Sequence, residues 1–197
     1  MPLQPVAAGE IATIVTSLEM TSPPRPRALP ASPLSLVRWL APKLDRYRAL
    51  FRRVGAPWLW FSRLAMDDAT LSAILDDPAV ELSVVVDRQG IELGMLELDF
   101  RQPGLCELAY FGLVPELAGQ GHGRWLMGHA LAQAWRKGIE RVWVHTCTLD
   151  HPSALNFYRA QGFTPYDRAI ETFPDPRLIG LLPRDTAPQI PLLDPAS

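Results

Sequence analysis

The sequence predicts an α/β fold on a mixed, mostly antiparallel central sheet, and three observations predict it. Apolar or alternating runs at 80–86, 91–100 and 105–114 follow one another through the tight turns Arg88-Gln89-Gly90 and Pro103-Gly104, as in an antiparallel meander. The last run leads into Gly119, Gly121 and Gly123 and then an amphipathic helical pattern. A further strand pattern at 141–146 follows that helix. The strands on either side of it should therefore be parallel neighbours joined by a right-handed crossover.

Taken in order, residues 11–20 are rich in Ile, Val and Thr, with Ala12, Ile14 and Leu18 on one side, and read as a strand. The stretch 22–33 (SPPRPRALPASP) reads as a solvated proline-rich connection carrying Arg25 and Arg27. From Pro42, acceptable as a first helical residue, Leu44, Tyr47, Phe51 and Val54 form a helical stripe that Gly55 and Pro57 stop. The bulky run 58–61 is expected to be a strand or extended segment packed on the core, or a wall of a substrate pocket. Asp67 reads as the N-cap of a short helix carrying Leu71, Ile74 and Leu75, ended by Asp77-Pro78.

In the meander, Val80, Leu82, Val84 and Val86 alternate on one face, and Gly94 signals a bulge or a close approach. Pro115 removes a ladder donor where the strand 105–114 should stop. After the glycines, Leu126, Ala130 and Ala134 form one i,i+4 row and Met127, Leu131 and Trp135 the next, so His129, Gln133, Arg136 and Lys137 should face water. Gly138 is expected to close that helix. His151-Pro152 opens a second amphipathic helix with Ala154, Phe157 and Tyr158 within one turn. Gly162 stops it, and 163–173 reads as the last strand.

A chain of 197 residues, 48% hydrophobic and 20% charged with a net charge of −2, fits one domain with a sizeable core. No block of Lys and Arg suggests nucleic acid, and no apolar run approaches the roughly 20 residues of a membrane span. No basic-then-apolar leader is seen, so a cytoplasmic protein is expected. Cys106 and Cys147 fall inside predicted strands and read as reduced, buried thiols. Of the 20 prolines, seven lie in 1–33 and six in 174–197, so the flanks should be irregular around a compact region at 34–173 joined by one N-terminal strand. The expected organisation is a single domain over 1–174, with the 22–33 linker inside it, and a proline-rich tail over 175–197.

Glycines at a helix start let the backbone come close to a ligand, and first-turn N–H groups have no partner within the helix. Three in strict alternation point to a bound anion, most often a phosphate; a flexible surface turn accounts for one or two of them. A dinucleotide loop does not fit. Its third glycine would fall at Arg124, and Glu140 precedes the strand at whose end the ribose carboxylate belongs. A P-loop fails for want of Gly-Lys-Ser/Thr.

The segment FGLVPELAGQGHGRWLMGHAL resembles motif A of the GNAT acetyltransferase superfamily, which binds the pyrophosphate of acetyl-CoA. The pattern Gln/Arg-x-x-Gly-x-Gly/Ala falls on Ala118, Gly119, Gln120, Gly121, His122 and Gly123, with Arg124 next. HPSALNFYRAQGFTPY resembles motif B, with Ala154, Phe157, Tyr158, Gly162 and Phe163 in the matching places. The two come in the order and separation that the family uses, and the resemblance covers about 80–166. AYFGLVPE and VWVHTCTLDHP are similar to a bacterial branch of the superfamily with poorly defined substrates. Two positions depart. Ala118 stands where Gln or Arg is usual, which removes one side-chain contact but leaves the backbone donors, and His151 stands where Asn is common.

The resemblance implies the GNAT fold, with its parallel strand–loop–helix–strand unit splayed for acetyl-CoA. It implies an acetyl-CoA-dependent N-acetyltransferase working by direct transfer in a ternary complex. The implied cofactor site comprises Phe111, Gly112 and Leu113, then Gly119, Gln120, Gly121, His122, Gly123 and Arg124, then His151 and Phe157. Such chemistry must deprotonate an ammonium of ordinary pKa about 10, stabilise a thioester oxygen that turns negative, and protonate a departing thiolate.

Tyr158 matches the family's general acid. Glu107 stands where several members keep a carboxylate base, and it also fits a solvent-facing strand residue. Glu97, Asp99, Tyr110 and His145 are reserve candidates, and the side chains of His122 and His129 look structural. Trp39, Trp58, Trp60, Trp125, Trp135 and Trp143 are expected in the core or in a substrate wall. No cluster has metal-ligand spacing, so no metal is expected. The expected partner is a small-molecule or peptide amine, without nucleic acid or membrane, and a homodimer stays open. A module that binds acyl-CoA or a partner without turnover is the alternative, for which Ala118 and His151 speak.

Overall fold

The computed structural model describes residues 3–25 and 28–195. Arg27 of the linker lies outside them. Among the described residues, seven strands form one sheet: β1 (Glu10–Met20), β2 (Ser35–Arg38), β3 (Val80–Val86), β4 (Glu92–Asp99), β5 (Leu105–Leu113), β6 (Arg141–Cys147) and β7 (Thr164–Pro174). Their order is β2-β3-β4-β5-β6-β1-β7. The helices are α1 (Leu44–Gly55), α2 (Ser62–Ala65), α3 (Asp68–Leu75), α4 (His122–Ala134) and α5 (Ala154–Gln161). Neighbouring strands are antiparallel except β5 and β6, the parallel pair that the crossover through α4 requires.

The sheet has a core on each face. Leu96 and Leu98 of β4 join one with Leu126 and Ala130 of α4, while Met95 joins the other with Phe51 and Val54 of α1. Each side chain of this kind that leaves water completely contributes about 1.5–3 kcal/mol. In α1 the stripe Tyr47, Leu50, Phe51 and Val54 is buried, with Asp45 in the first turn and Arg52 and Arg53 in the last, as the helix dipole favours. The Thr70 N–H donates to the Asp67 carboxylate at 2.7 Å, the expected cap of α3.

Several expectations need correction. The run 58–61 is not a strand. A 3-10 turn at Ala56–Trp58 follows α1, Leu59 adopts a left-handed conformation with φ 54, and the Trp60 N–H donates back to the Gly55 carbonyl at 3.0 Å. The helix end, not a neighbouring strand, takes these backbone groups. The short edge strand β2 has a single half-buried residue, Leu36, too little for a periodic pattern. In β1, Ala12 and Ile14 share a face with buried Leu18 but stay exposed. α4 ends at Ala134, before Gly138, and His129 and Gln133 are half-buried. Both cysteines are free thiols; Cys106 is buried, and Cys147 only partly.

β1 comes first in the chain yet pairs with both β6 and β7, in registers Val15↔Cys147 and Ile11↔Phe173. Beyond β7 the chain runs back over the α1 side of the sheet, where Leu182 and Ala187 enter the core. Buried Arg177 ties this segment together. It donates to the Asp175 carboxylate (2.7 Å) and to the carbonyls of Ile190 (2.8 Å) and Thr186 (3.2 Å).

Two irregularities shape the centre. A Cβ on Gly94 would lie 2.5 Å from a Leu113 methyl and 2.7 Å from the Gly112 carbonyl, and the β3–β4 register shifts beside it. In β5 the register jumps from Leu98↔Leu108 to Glu97↔Tyr110, so Ala109 is an extra residue that bends the strand. β5 and β6 pair only at Leu105, Cys106 and Glu107, and past that point they diverge.

Candidate active site

The divergence of β5 and β6 opens a cleft of about 780 Å³. Its walls are the far half of β5, the glycine loop, the end of β6, the start of α5 and the segment around Trp58–Ser62. A strand that loses its neighbour keeps alternate N–H and C=O groups pointing into the gap without ladder partners, which suits a ligand with amide groups. Of the expected cofactor residues, Phe111, Gly112, Leu113, Gly119, Gly121, Gly123, Arg124, His151 and Phe157 line this cleft, and so does Tyr158.

The loop carries the conformation that the glycines imply. Gly119 has φ 75 and Gly121, the N-cap of α4, has φ 84, a region that L side chains enter only with strain. A Cβ on Gly123 would lie 3.6 Å from the Phe157 ring, so α4 starts close against α5. Gln120 and His122 do not line the cleft. The Gln120 side chain donates to the Glu116 carbonyl at 2.7 Å, stitching the loop, and His122 Nδ1 meets the Ser32 hydroxyl at 3.1 Å.

Tyr158 sits on α5 with 7% of its surface exposed, its ring 6.2 Å from that of Phe111 and 5.9 Å from that of Phe163. Burial, then the nearby Asp150 carboxylate, raise its pKa, so the phenol keeps its proton at neutral pH. His151 stands edge-on to Trp58 at 5.2 Å between ring centres. Its Nδ1 accepts the Ser153 N–H at 3.2 Å, the bond that an Asn there would make at the start of α5.

Glu107 belongs to the last residue pair that β5 and β6 share, and it does not line the cleft. His145 of β6 does, and its Nδ1 lies 3.6 Å from Glu107 Oε1. The Glu107 contact raises the His145 pKa against the lowering effect of burial, and Asp150 and Glu171 add to the rise. Among the reserve residues, Tyr110 lines the cleft and shares a hydrogen bond with Ser62 at 2.5 Å. Glu97 is fully buried and taken up by Tyr47 (2.8 Å) and Arg63, while Asp99 pairs with Arg101 outside the cleft. Burial pushes the Cys106 thiol up to about 12, well away from reactivity.

Sequence reasoning missed Asp150 and Glu171. Asp150 accepts from the Thr146 hydroxyl (2.7 Å), the Cys147 N–H (3.0 Å) and the Trp60 indole (3.2 Å). Its signal was available, since a carboxylate just beyond the carboxyl end of a parallel strand stands where α/β sheets bind ligands. Glu171 lines the cleft only because β7 lies beside β1, which local pattern does not reveal. Among the described residues no group of His, Cys, Asp and Glu is placed to hold a metal ion, and no helix is long and apolar enough to cross a membrane.

A family model described as "Acetyltransferase (GNAT) family" matches residues 47–163. Among solved structures the chain is similar to a functionally unknown conserved protein from Staphylococcus epidermidis, at 12% identity and TM-score 0.53 over 85% of this chain. The chain spans 63% of the length of that protein. It is similar to an aminoglycoside acetyltransferase from an uncultured soil metagenomic sample, at 21% identity and TM-score 0.54 over 66% of this chain and 88% of the other. A spermidine N-acetyltransferase chimera of Vibrio cholerae SpeG and hSSAT gives 21% identity and TM-score 0.56 over 69% and 83%. No curated protein matches the chain.

Proposed function

The chain belongs to the GNAT acetyltransferase family, and from that premise we propose that it moves the acetyl group of acetyl-CoA directly to a primary amine in a ternary complex. The observation that carries the reading is the β5–β6 cleft, with positive-φ glycines at one end and a proton-bearing tyrosine inside. Bound acetyl-CoA supplies an activated acetyl thioester. The loop from Gly119 to Gly123 and the start of α4 hold its pyrophosphate through backbone N–H groups and the helix dipole, and Arg124 adds a positive charge. The free edge of β5 near Phe111–Leu113 donates to the pantetheine amides and to the acyl oxygen as it turns negative.

Tyr158 gives its proton to the departing sulfur. On the other side of the reacting carbon, His145 takes the proton of the incoming ammonium while Glu107 stabilises the imidazolium. Their contact at 3.6 Å supports reading Glu107 as the partner of a His145 base and not as a base acting alone. His151 retains the capping bond of the more common Asn, which leaves Ala118 as the feature that favours a module without turnover.

Thermal-shift measurements with acetyl-CoA and with NADH, followed by release of CoA thiol over an amine panel, test the proposal. Stabilisation by acetyl-CoA alone and thiol release with at least one amine are expected. Stabilisation by NADH alone would overturn the reading. Stabilisation by acetyl-CoA without transfer to any amine would leave the binding module.

A further inference from the structure

The far end of the cleft differs in chemistry from its glycine-loop end. One wall is the segment 56–62, which leaves α1 and crosses β5. Buried Leu59, held in the left-handed region at φ 54, turns the chain so that successive tryptophans reach different partners. Trp60 is locked. A Cβ on Gly55 would lie 2.4 Å from it and one on Gly112 3.0 Å, and its indole donates to Asp150 at 3.2 Å. Trp58 is half-exposed and makes an edge contact with His151 at 5.2 Å between ring centres. The Gln189 amide donates to the Pro57 carbonyl at 2.6 Å, so the segment is also held from outside.

Trp58 and Phe61 thus form a preformed apolar wall, which Phe173, its ring 4.7 Å from that of Phe61, and Leu149 continue. Polar groups here are few. Asp150 is occupied by three donors, and the Tyr110 hydroxyl by Ser62. Among the described lining residues, Glu171 is the carboxylate with neither hydrogen bond nor ion pair; it is exposed, and its charge reaches His145 across β1. One free anionic group against an apolar wall matches one ammonium on an apolar body. We infer that the acceptor is a primary monoamine, its ammonium held between Glu171 and His145 and its aryl or alkyl body lying on the wall of Trp58 and Phe61. A polyamine or an amino sugar would bring further charges or hydroxyls against apolar surface that offers them no partner. The inference rests on the acetyl-transfer reading of the same cleft.

The test is steady-state acetylation of phenylethylamine, spermidine and kanamycin, read as CoA thiol release. Phenylethylamine should show a kcat/KM at least about tenfold above the other two. Trp58→Ala should raise the phenylethylamine KM about tenfold while the acetyl-CoA KM holds, Trp58→Phe should restore most of it, and Glu171→Gln should raise the amine KM. Retained stabilisation by acetyl-CoA shows that each variant is folded. Preference for spermidine or kanamycin would overturn the monoamine assignment and leave acetyl transfer standing. An unchanged amine KM in both Trp58→Ala and Glu171→Gln would overturn the placement. Stabilisation by acetyl-CoA with no transfer to any amine would overturn both readings together.

Discussion

Gly121→Ala isolates what the glycine loop contributes to cofactor binding. Gly121 has φ 84, and the protein atom nearest to an added Cβ is an Arg124 guanidinium nitrogen at 3.9 Å, an ordinary contact. Backbone strain is therefore the whole perturbation, and the left-handed region costs an L residue about 1–2 kcal/mol. The loop is exposed, so the free protein relaxes the strain and binding must restore it. The cost then falls on affinity, weakening acetyl-CoA by about 5–30-fold. With ligand at ~100 times the wild-type Kd, stabilisation by ligand is about 2.7 kcal/mol, and a tenfold weaker Kd reduces it to about 1.4 kcal/mol. The ligand-induced rise in Tm should drop by about half. Gly90→Ala is the control: it has φ 81 in the hairpin after β3, with nothing within 4 Å of the added Cβ. It should leave affinity untouched. Unchanged affinity in a folded Gly121→Ala protein, or an equal loss in Gly90→Ala, would refute the reasoning.

Tyr158→Phe keeps the ring packed against Phe111 and Phe163 and removes only the hydroxyl, so turnover should fall ~10²–10⁴-fold with acetyl-CoA affinity nearly constant. Glu107→Gln removes the group that raises the His145 pKa. The wild type should lose activity as pH falls through that raised value, because a protonated imidazole takes no proton. In the variant this acid limb should move to lower pH beneath a reduced ceiling, and a limb that stays in place would take the base role from the pair. Arg177→Ala strands the buried Asp175 carboxylate and should cost about 3–5 kcal/mol in urea unfolding. Against burial, which raises it, the Arg177 bonds lower the Asp175 pKa; this stability is present at neutral pH and should fade as pH falls below the ordinary 3.8.

What the sequence displayed well were features written in local chemistry. Glycines needing φ > 0, a proline ending a strand, an aspartate capping α3 and helical stripes on α1 and α4 all act within a few residues of themselves, and each is found in place. The parallel pairing of β5 and β6 also followed, because a crossover helix leaves little choice. Features that depend on distant partners were hidden. Nothing in 10–20 says that this strand fills the slot between β6 and β7, and so Thr13, Val15 and Glu171 could not be placed beside one cleft. The segment 58–61 has the composition of a strand, but its turn is imposed by Trp60 docking between two glycines, one of them on β5.

The candidate base shows the same division. The alternation of β5 puts Glu107 and Tyr110 on a common face only through the extra residue Ala109, which adds one position between them. Glu107 itself precedes the bulge and lies at the closed end of the β5–β6 pair, 3.6 Å from an imidazole that does reach the cleft. A carboxylate placed there holds a proton acceptor in position more readily than it meets an amine itself. The acid limb in Glu107→Gln separates these roles: a base acting alone takes its limb with it when removed, whereas a supporting carboxylate leaves a limb that moves.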